Sequence, residues 1–223
     1  MKKLVVVLSV IFTLFVTFSL QAQIKVGVGG GLNFSSVNID YEEVEPTTQT
    51  NFVFGGLLEL PVYKNVSLQL YPTYIRKGAD FKLQGNPLDW IFELNYVELP
   101  LLLKVNFGSN YPYLCAGPAV GYLLDAELRT EVDGIKFTGD LKDLTEEFDY
   151  GVSFGAGFEK SLGFGNFFFE ARYTLGLNNN QKGGTFKLTG GSISESMEWE
   201  KERDDYKNNG LQVLAGIKIP LRF

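Results

Sequence analysis

From Leu211 to Phe223 every second residue of the chain is apolar. Leu211, Val213, Ala215, Ile217, Ile219, Leu221 and Phe223 fall on one side, and Gln212, Leu214, Gly216, Lys218, Pro220 and Arg222 on the other. A period of two is a β-strand with one apolar face. Val66 to Tyr74 repeats it, with Ser67, Gln69, Tyr71 and Thr73 on the polar side. So does Tyr96 to Phe107, where Val97, Leu99, Leu101, Leu103, Val105 and Phe107 share a face. A run that long suits a tilted membrane strand better than an ordinary soluble one.

Eight such segments are expected, at 24–35, 52–63, 66–78, 93–107, 111–124, 148–161, 167–178 and 208–223. The connections near Lys64-Asn65, Gly108-Ser109-Asn110 and Leu162 to Asn166 are tight. Those near 36–51, 79–92, 125–147 and 179–207 are long and polar. Strict alternation of short and long connections is how an up-and-down barrel with periplasmic turns and outer loops is built, and an even strand number leaves both termini in the periplasm. Two long loops carry hairpin signals, Asp133-Gly134 and Gly190-Gly191, each flanked by strand-forming residues, while Asn178-Asn179-Asn180 and the charge run from Glu198 to Asp205 let 179–207 read equally as disordered.

The N-terminus agrees. Lys2 and Lys3 precede an uncharged, mostly apolar run from Leu4 to Leu20, and Ser19-Leu20-Gln21-Ala22 closes on a small residue at Ala22. This is the pattern of a secretory signal peptide, with cleavage expected after Ala22. The expected organisation is therefore a signal peptide at 1–22, exported through the Sec pathway, and one β-barrel domain at 23–223. Loss of Lys2 and Lys3 takes the formal charge from −6 to −8, which gives no basis for a nucleic-acid partner. No later stretch is apolar for long enough to span a bilayer as a helix, yet 45% of residues are hydrophobic, with 25 Gly and 19 Phe. In lipid, a wall built of strands must close so that no edge is left unpaired. The expected fold is all-β: an eight-stranded antiparallel up-and-down transmembrane β-barrel in the outer membrane.

Alternation also describes a soluble carrier barrel, with an apolar lumen around a greasy ligand. Three features favour lipid outside. Aromatics gather at segment ends: Phe34, Phe52, Tyr74, Tyr122, Phe148, Tyr150 and Tyr173 toward the long loops, and Phe107, Phe167 and Phe223 toward the short turns. The other face carries Gly27, Gly29, Gly31, Gly151, Gly155 and Gly157, which leave room for bulky neighbours in a narrow lumen. The chain ends on an aromatic, Phe223, expected to act as an insertion signal read by the barrel assembly machinery. Glu59, Glu98, Glu159 and Glu170 are then inward, as are Lys25, Lys104, Arg172, Lys218 and Arg222. Opposite charges in a closed lumen must pair, so these residues are expected to form a structural ion-pair network filling the barrel.

Tyr96-Val97-Glu98-Leu99-Pro100-Leu101-Leu102-Leu103-Lys104, together with Gly31-Leu32-Asn33-Phe34-Ser35 in the first strand, resembles the PorT-type outer-membrane β-barrel family. The resemblance covers nearly all of the mature chain. Pro100 departs from ideal strand chemistry but matches the family pattern. The resemblance implies a barrel in the outer membrane and, from the member that names the family, a link to protein secretion.

No catalytic, cofactor or metal site emerges. The chain has no histidine, the usual general base. Gly27 to Gly31 lacks the last glycine of a dinucleotide loop, and Gly155 to Ser161 lacks the glycine before lysine of a phosphate loop. Asp140, Asp143, Glu146, Glu147 and Asp149 lack calcium-loop spacing and read as a solvated loop face. Cys115 reads as a small filler on the inner face. Trp90, Trp199 and Tyr206 fall in the long loops, as recognition anchors or at the lipid interface. The expected function is a non-enzymatic structural or interaction protein acting through its outer loops, accessory to secretion, with lipid and an extracellular or envelope protein as partners. The alternative is a barrel that carries a small apolar ligand.

Overall fold

The computed structural model describes residues 23–39, 44–83, 89–108, 112–132, 134–191, 193–199 and 206–221. The expected signal peptide, Arg222 and Phe223 lie outside these. The strands are β1 (Lys25–Ile39), β2 (Val44–Tyr63), β3 (Val66–Leu70), β4 (Thr73–Leu83), β5 (Asp89–Asn106), β6 (Pro112–Val132), β7 (Ile135–Asp140), β8 (Phe148–Ser161), β9 (Asn166–Gly176), β10 (Gly184–Gly190), β11 (Ile193–Trp199) and β12 (Tyr206–Pro220). Among the described residues a 3-10 turn spans Lys142–Leu144. No helix of the described residues is long and apolar enough to cross a membrane.

All strand pairs are antiparallel. They run from β6 through β8, β9, β12 and β1 to β2. From β2 they pass to both β3 and β4, from these to β5, and from β5 to the other side of β6. The result is an antiparallel, up-and-down, barrel-like wall. The first and last strands pair along all 15 residues of β1, from Lys25 opposite Pro220 to Ile39 opposite Tyr206.

Where eight strands are expected, the described chain forms a 12-stranded sheet. The segment expected at 66–78 is divided into β3 and β4 at Tyr71-Pro72. Proline has no N–H to give the ladder, though bonds continue across the break from Gly56 N–H to Pro72 O and from Tyr71 N–H to Pro100 O. The other additional strands, β7, β10 and β11, lie in the long connections, where both hairpins signalled by Asp-Gly and Gly-Gly are present.

Sidedness follows from burial. Outward positions of the wall are apolar and open, with Val28 69% and Phe54 60% exposed, whereas Lys104, Glu170, Arg172 and Lys218 are 0% exposed. A soluble carrier barrel would show the reverse. The exposed aromatics Phe52, Tyr122, Phe148 and Tyr150 mark the long-loop rim, and Phe107, Phe164 and Phe167 the short-turn rim. Past the long-loop rim the outer wall turns polar: Arg76 Nε donates to Asn95 Oδ1 at 3.1 Å, and Arg129 Nη1 stands 3.1 Å from Glu93 Oε2.

The lumen accommodates large side chains because glycines face them. A Cβ on Gly29 would come 2.8 Å from the Phe168 ring, and one on Gly157 would collide with the ring of Tyr113. At Gly31 a Cβ would collide with the backbone carbonyl of Val213, on the strand β1 pairs with. Backbone cannot move aside without opening the β1–β12 seam. Gly31→Val is therefore expected to destabilise the barrel by at least the about 1–3 kcal/mol typical of overpacking. Loss of the compact, heat-shifted band on an unboiled gel is the readout, and a wild-type band would refute the steric argument.

Candidate functional site

The lumen holds three stacked groups of charges. Nearest the short turns, the ammonium groups of Lys25, Lys104 and Lys218 surround two carboxylates. Glu59 receives Lys218 at 2.7 Å, Lys104 at 3.0 Å and Lys25 at 3.4 Å. Glu159 receives Lys218 at 2.6 Å, Lys25 at 3.1 Å, Asn166 Nδ2 at 2.7 Å, and Lys104. The ring of Tyr113 lies 4.2 Å from Lys104 Nζ, so the excess positive charge meets a π-face.

Above this, Arg172 Nε donates to Glu170 Oε1 at 2.8 Å, and Tyr113 donates its hydroxyl to Glu170 Oε2 at 2.7 Å. Arg172 Nη2 stands 2.6 Å from Oε1 but outside hydrogen-bonding geometry, so this contact is an ion pair only. The guanidinium lies 5.0 Å from the centre of the Tyr71 ring. In the third group Lys77 Nζ joins Glu98 at 2.5 Å and Asp149 at 2.9 Å. Asp149 also accepts Asn180 Nδ2 at 3.2 Å and Asn208 Nδ2 at 3.0 Å, and Gln212 Nε2 donates to Glu98 at 3.3 Å. An enclosed space of about 10 Å³ beside Lys77, lined by Asn33, Asn208 and Gln212, has room for one water.

These groups draw on strands all round the wall. Lys25 and Glu159 are 134 residues apart, yet register and parity bring them together. Lys25, Lys77, Lys104, Arg172 and Lys218 face Glu59, Glu98, Asp149, Glu159 and Glu170, so the described ion pairs of the lumen balance. Such a lumen needs no counter-ion, and each buried charge has the partner that makes its burial tolerable. Cys115 sits on the inner face of β6, 3% exposed. Intact protein is expected to resist a maleimide reagent that labels unfolded chain fully. Rapid labelling of the native form would contradict its inward placement.

Over the long-loop end sits a head. The lower part of β6 pairs with β8, but its upper part, from Glu127 to Val132, pairs with β7. β7 pairs with β10, and β10 with β11, so the sheet continues past the barrel mouth. Leu141, Phe186, Leu188 and Tyr206 join Phe92 and Leu128 in one apolar cluster that closes that end of the lumen. Loop backbone is tied to the wall as well: Leu123 N–H bonds to Glu147 O and Leu141 N–H to Ala126 O, both at 2.8 Å, and Asn180 N–H to Tyr206 O at 3.1 Å.

Glu59, Glu98, Lys104, Glu159, Glu170, Arg172 and Lys218 thus all lie in the lumen, divided among the three groups. Arg222 and Phe223 are outside the described residues. Asp149, expected on a solvated acidic loop with Asp140 and Glu147, is instead buried, because it alternates with the outward Phe148 and Tyr150. Its parity is the signal that places it, and parity with Thr73 and Ile75 likewise places Lys77. Tyr206, expected in a loop, is 2% exposed at the start of β12. Trp90 lies in β5 and packs against the head cluster; the Trp199 side chain is outside the described residues. Among the described residues no acidic or thiol group is arranged to hold a metal.

The family described as outer membrane protein beta-barrel domain matches residues 20–182. Among solved structures the chain is similar to the outer membrane protein OprG from Pseudomonas aeruginosa. The TM-score is 0.50 at 14% identity, covering 90% of this chain and 97% of that one. It is also similar to Ail, the attachment invasion locus protein of Yersinia pestis, at TM-score 0.44 and 12% identity, covering 89% and 100%. The outer membrane protease OmpT from Escherichia coli gives 0.38 and 11%, covering 91% and 98%. No curated protein matches the chain. The family match takes in most of the chain, and an apolar exterior around a charged interior is the form that a wall in lipid requires. The chain belongs to the outer membrane protein beta-barrel domain family, and its place is the outer membrane.

Proposed function

We propose that the mature chain, freed by cleavage after Ala22, is a closed eight-stranded barrel in which β3 and β4 form one interrupted wall strand. In this reading it works without catalysis, as a structural and interaction protein of the PorT type that presents its head to another envelope or extracellular protein. The family resemblance extends the role to an accessory of protein secretion, and Phe223 serves as the terminal signal for barrel assembly. One observation carries the reading: a fixed head stands on a lumen filled by paired charges, an arrangement suited to contact rather than passage.

The experiment places a photoreactive residue at Lys187, on the exposed side of β10, or at Lys64, in the β2–β3 turn, in living cells. Cross-linking to a discrete envelope protein from position 187 and not from 64 is the expected result. The same purified protein in a planar bilayer is expected to show no steady conductance. Saturable, displaceable binding of a lipophilic fluorophore, with no cross-link from the head, would replace this reading with a ligand-carrying barrel.

A further inference from the structure

The head ends in a strand that is only half used. β11 pairs with β10 from Gly190 opposite Ile193 to Gly184 opposite Trp199, with no register shift. Among the described residues it has no partner on its other side, and it stands at the end of the strand order. Every side chain from Ile193 to Glu198 is exposed, on both faces. Ile193 is 50% and Met197 37% exposed. They continue the face on which Phe186 and Leu188 are buried, past the margin of the apolar cluster.

Such an edge is a template for another strand, and proline, a bulge or charged side chains restrict what can add to it. β11 reads Ile-Ser-Glu-Ser-Met-Glu-Trp, with no proline, lysine or bulge, so its two glutamates set the restriction. Its only charges are Glu195 and Glu198. We propose that β11 is the docking edge of the head, and that an extended segment of a partner protein adds to it as the next antiparallel strand. This rests on the interaction reading above and specifies its surface. Backbone groups of β11 supply the hydrogen bonds, and its side chains supply the selectivity. Opposite Ile193 and Met197 the partner carries apolar residues, and opposite Glu195 and Glu198 it carries basic ones. A second copy of this chain fits poorly, because β11 against β11 gathers four carboxylates on one seam.

The test uses the full-length protein in detergent micelles and a synthetic peptide, Thr-Lys-Val-Thr-Lys-Thr-Val, which sets lysine and valine opposite the required positions. One control exchanges both lysines for glutamate, and another has proline in place of the central threonine. Hydrogen exchange of the Ile193–Trp199 amides is the readout. The lysine peptide is expected to slow it, and the proline peptide to leave it unchanged. The glutamate peptide is expected to bind about tenfold more weakly, two opposed charge pairs being the difference. The surface substitutions E195K and E198K together should reverse that order. No slowing over 193–199, or equal slowing by the proline peptide, overturns the proposal. Slowing confined to β7 or Lys142–Leu144 also overturns it, while leaving the head as an interaction surface. Slowing in the peptide-free protein that grows with protein concentration assigns the edge to self-pairing and overturns it too.

Discussion

Arg172→Leu is expected to lower the stability of the folded barrel by about 3–5 kcal/mol, the cost of leaving one member of a buried ion pair alone. The guanidinium and the Glu170 carboxylate are both 0% exposed. Without Arg172 the carboxylate keeps the Tyr113 hydroxyl and the Cys115 thiol, both neutral, as hydrogen-bond partners. The double variant Glu170→Leu/Arg172→Leu carries no orphan charge, and buried pairs replaced by apolar residues are often close to neutral. It should therefore be more stable than the single variant. The temperature at which the compact gel band is lost reads both, with a drop of about 10 °C for the single change. If both variants fall equally, the effect is one of packing volume and the electrostatic account fails.

Asp149→Ala is expected to loosen the head more than the wall. Its carboxylate accepts Lys77 from the lumen and Asn180 from the loop after β9, as well as Asn208. Removal leaves Lys77 with Glu98 and strands two buried amides, at about 1–3 kcal/mol for each unsatisfied group. The loop is then held by its backbone bonds and the apolar cluster. Trypsin cleavage at Lys142, in the connection before β8, and at Lys182, in the connection after β9, should quicken by about tenfold or more while the wall stays resistant. Unchanged cleavage at both sites would show that Leu141, Phe186 and Leu188 hold the head without the charge network.

Both predictions depend on positions that differ in how readily the sequence gives them away. Arg172 and Glu170 alternate with apolar neighbours in a clear strand, so their inward direction is legible. That they meet Tyr113 is not, because register between distant strands is set by the whole wall. Asp149 and Lys77 obey the same parity, but each lies where a strand runs into polar residues that read as loop. The head was legible only as two hairpins. Its docking onto the mouth depends on Phe186 and Leu188 meeting Tyr206 and Phe92, contacts made by tertiary packing with no local signature. At Leu124 and Asp125 both side chains turn outward, and a register shift against Asn95 and Tyr96 reverses parity for the rest of β6. Simple alternation carried past that point would place Arg129 on the wrong side.

The seam between β1 and β12 joins the two extremes of the described chain. Contacts so distant in sequence make folding slow, because the entropy of closing the intervening chain is lost before the contacts reward it. Until β12 arrives, β1 presents a bare edge the full length of the wall, in a setting where unpaired backbone is least tolerated. Formation of this seam therefore marks the moment of commitment in assembly. A chain that stalls before residue 206 has no strand with which to complete it, however well the first strands have formed.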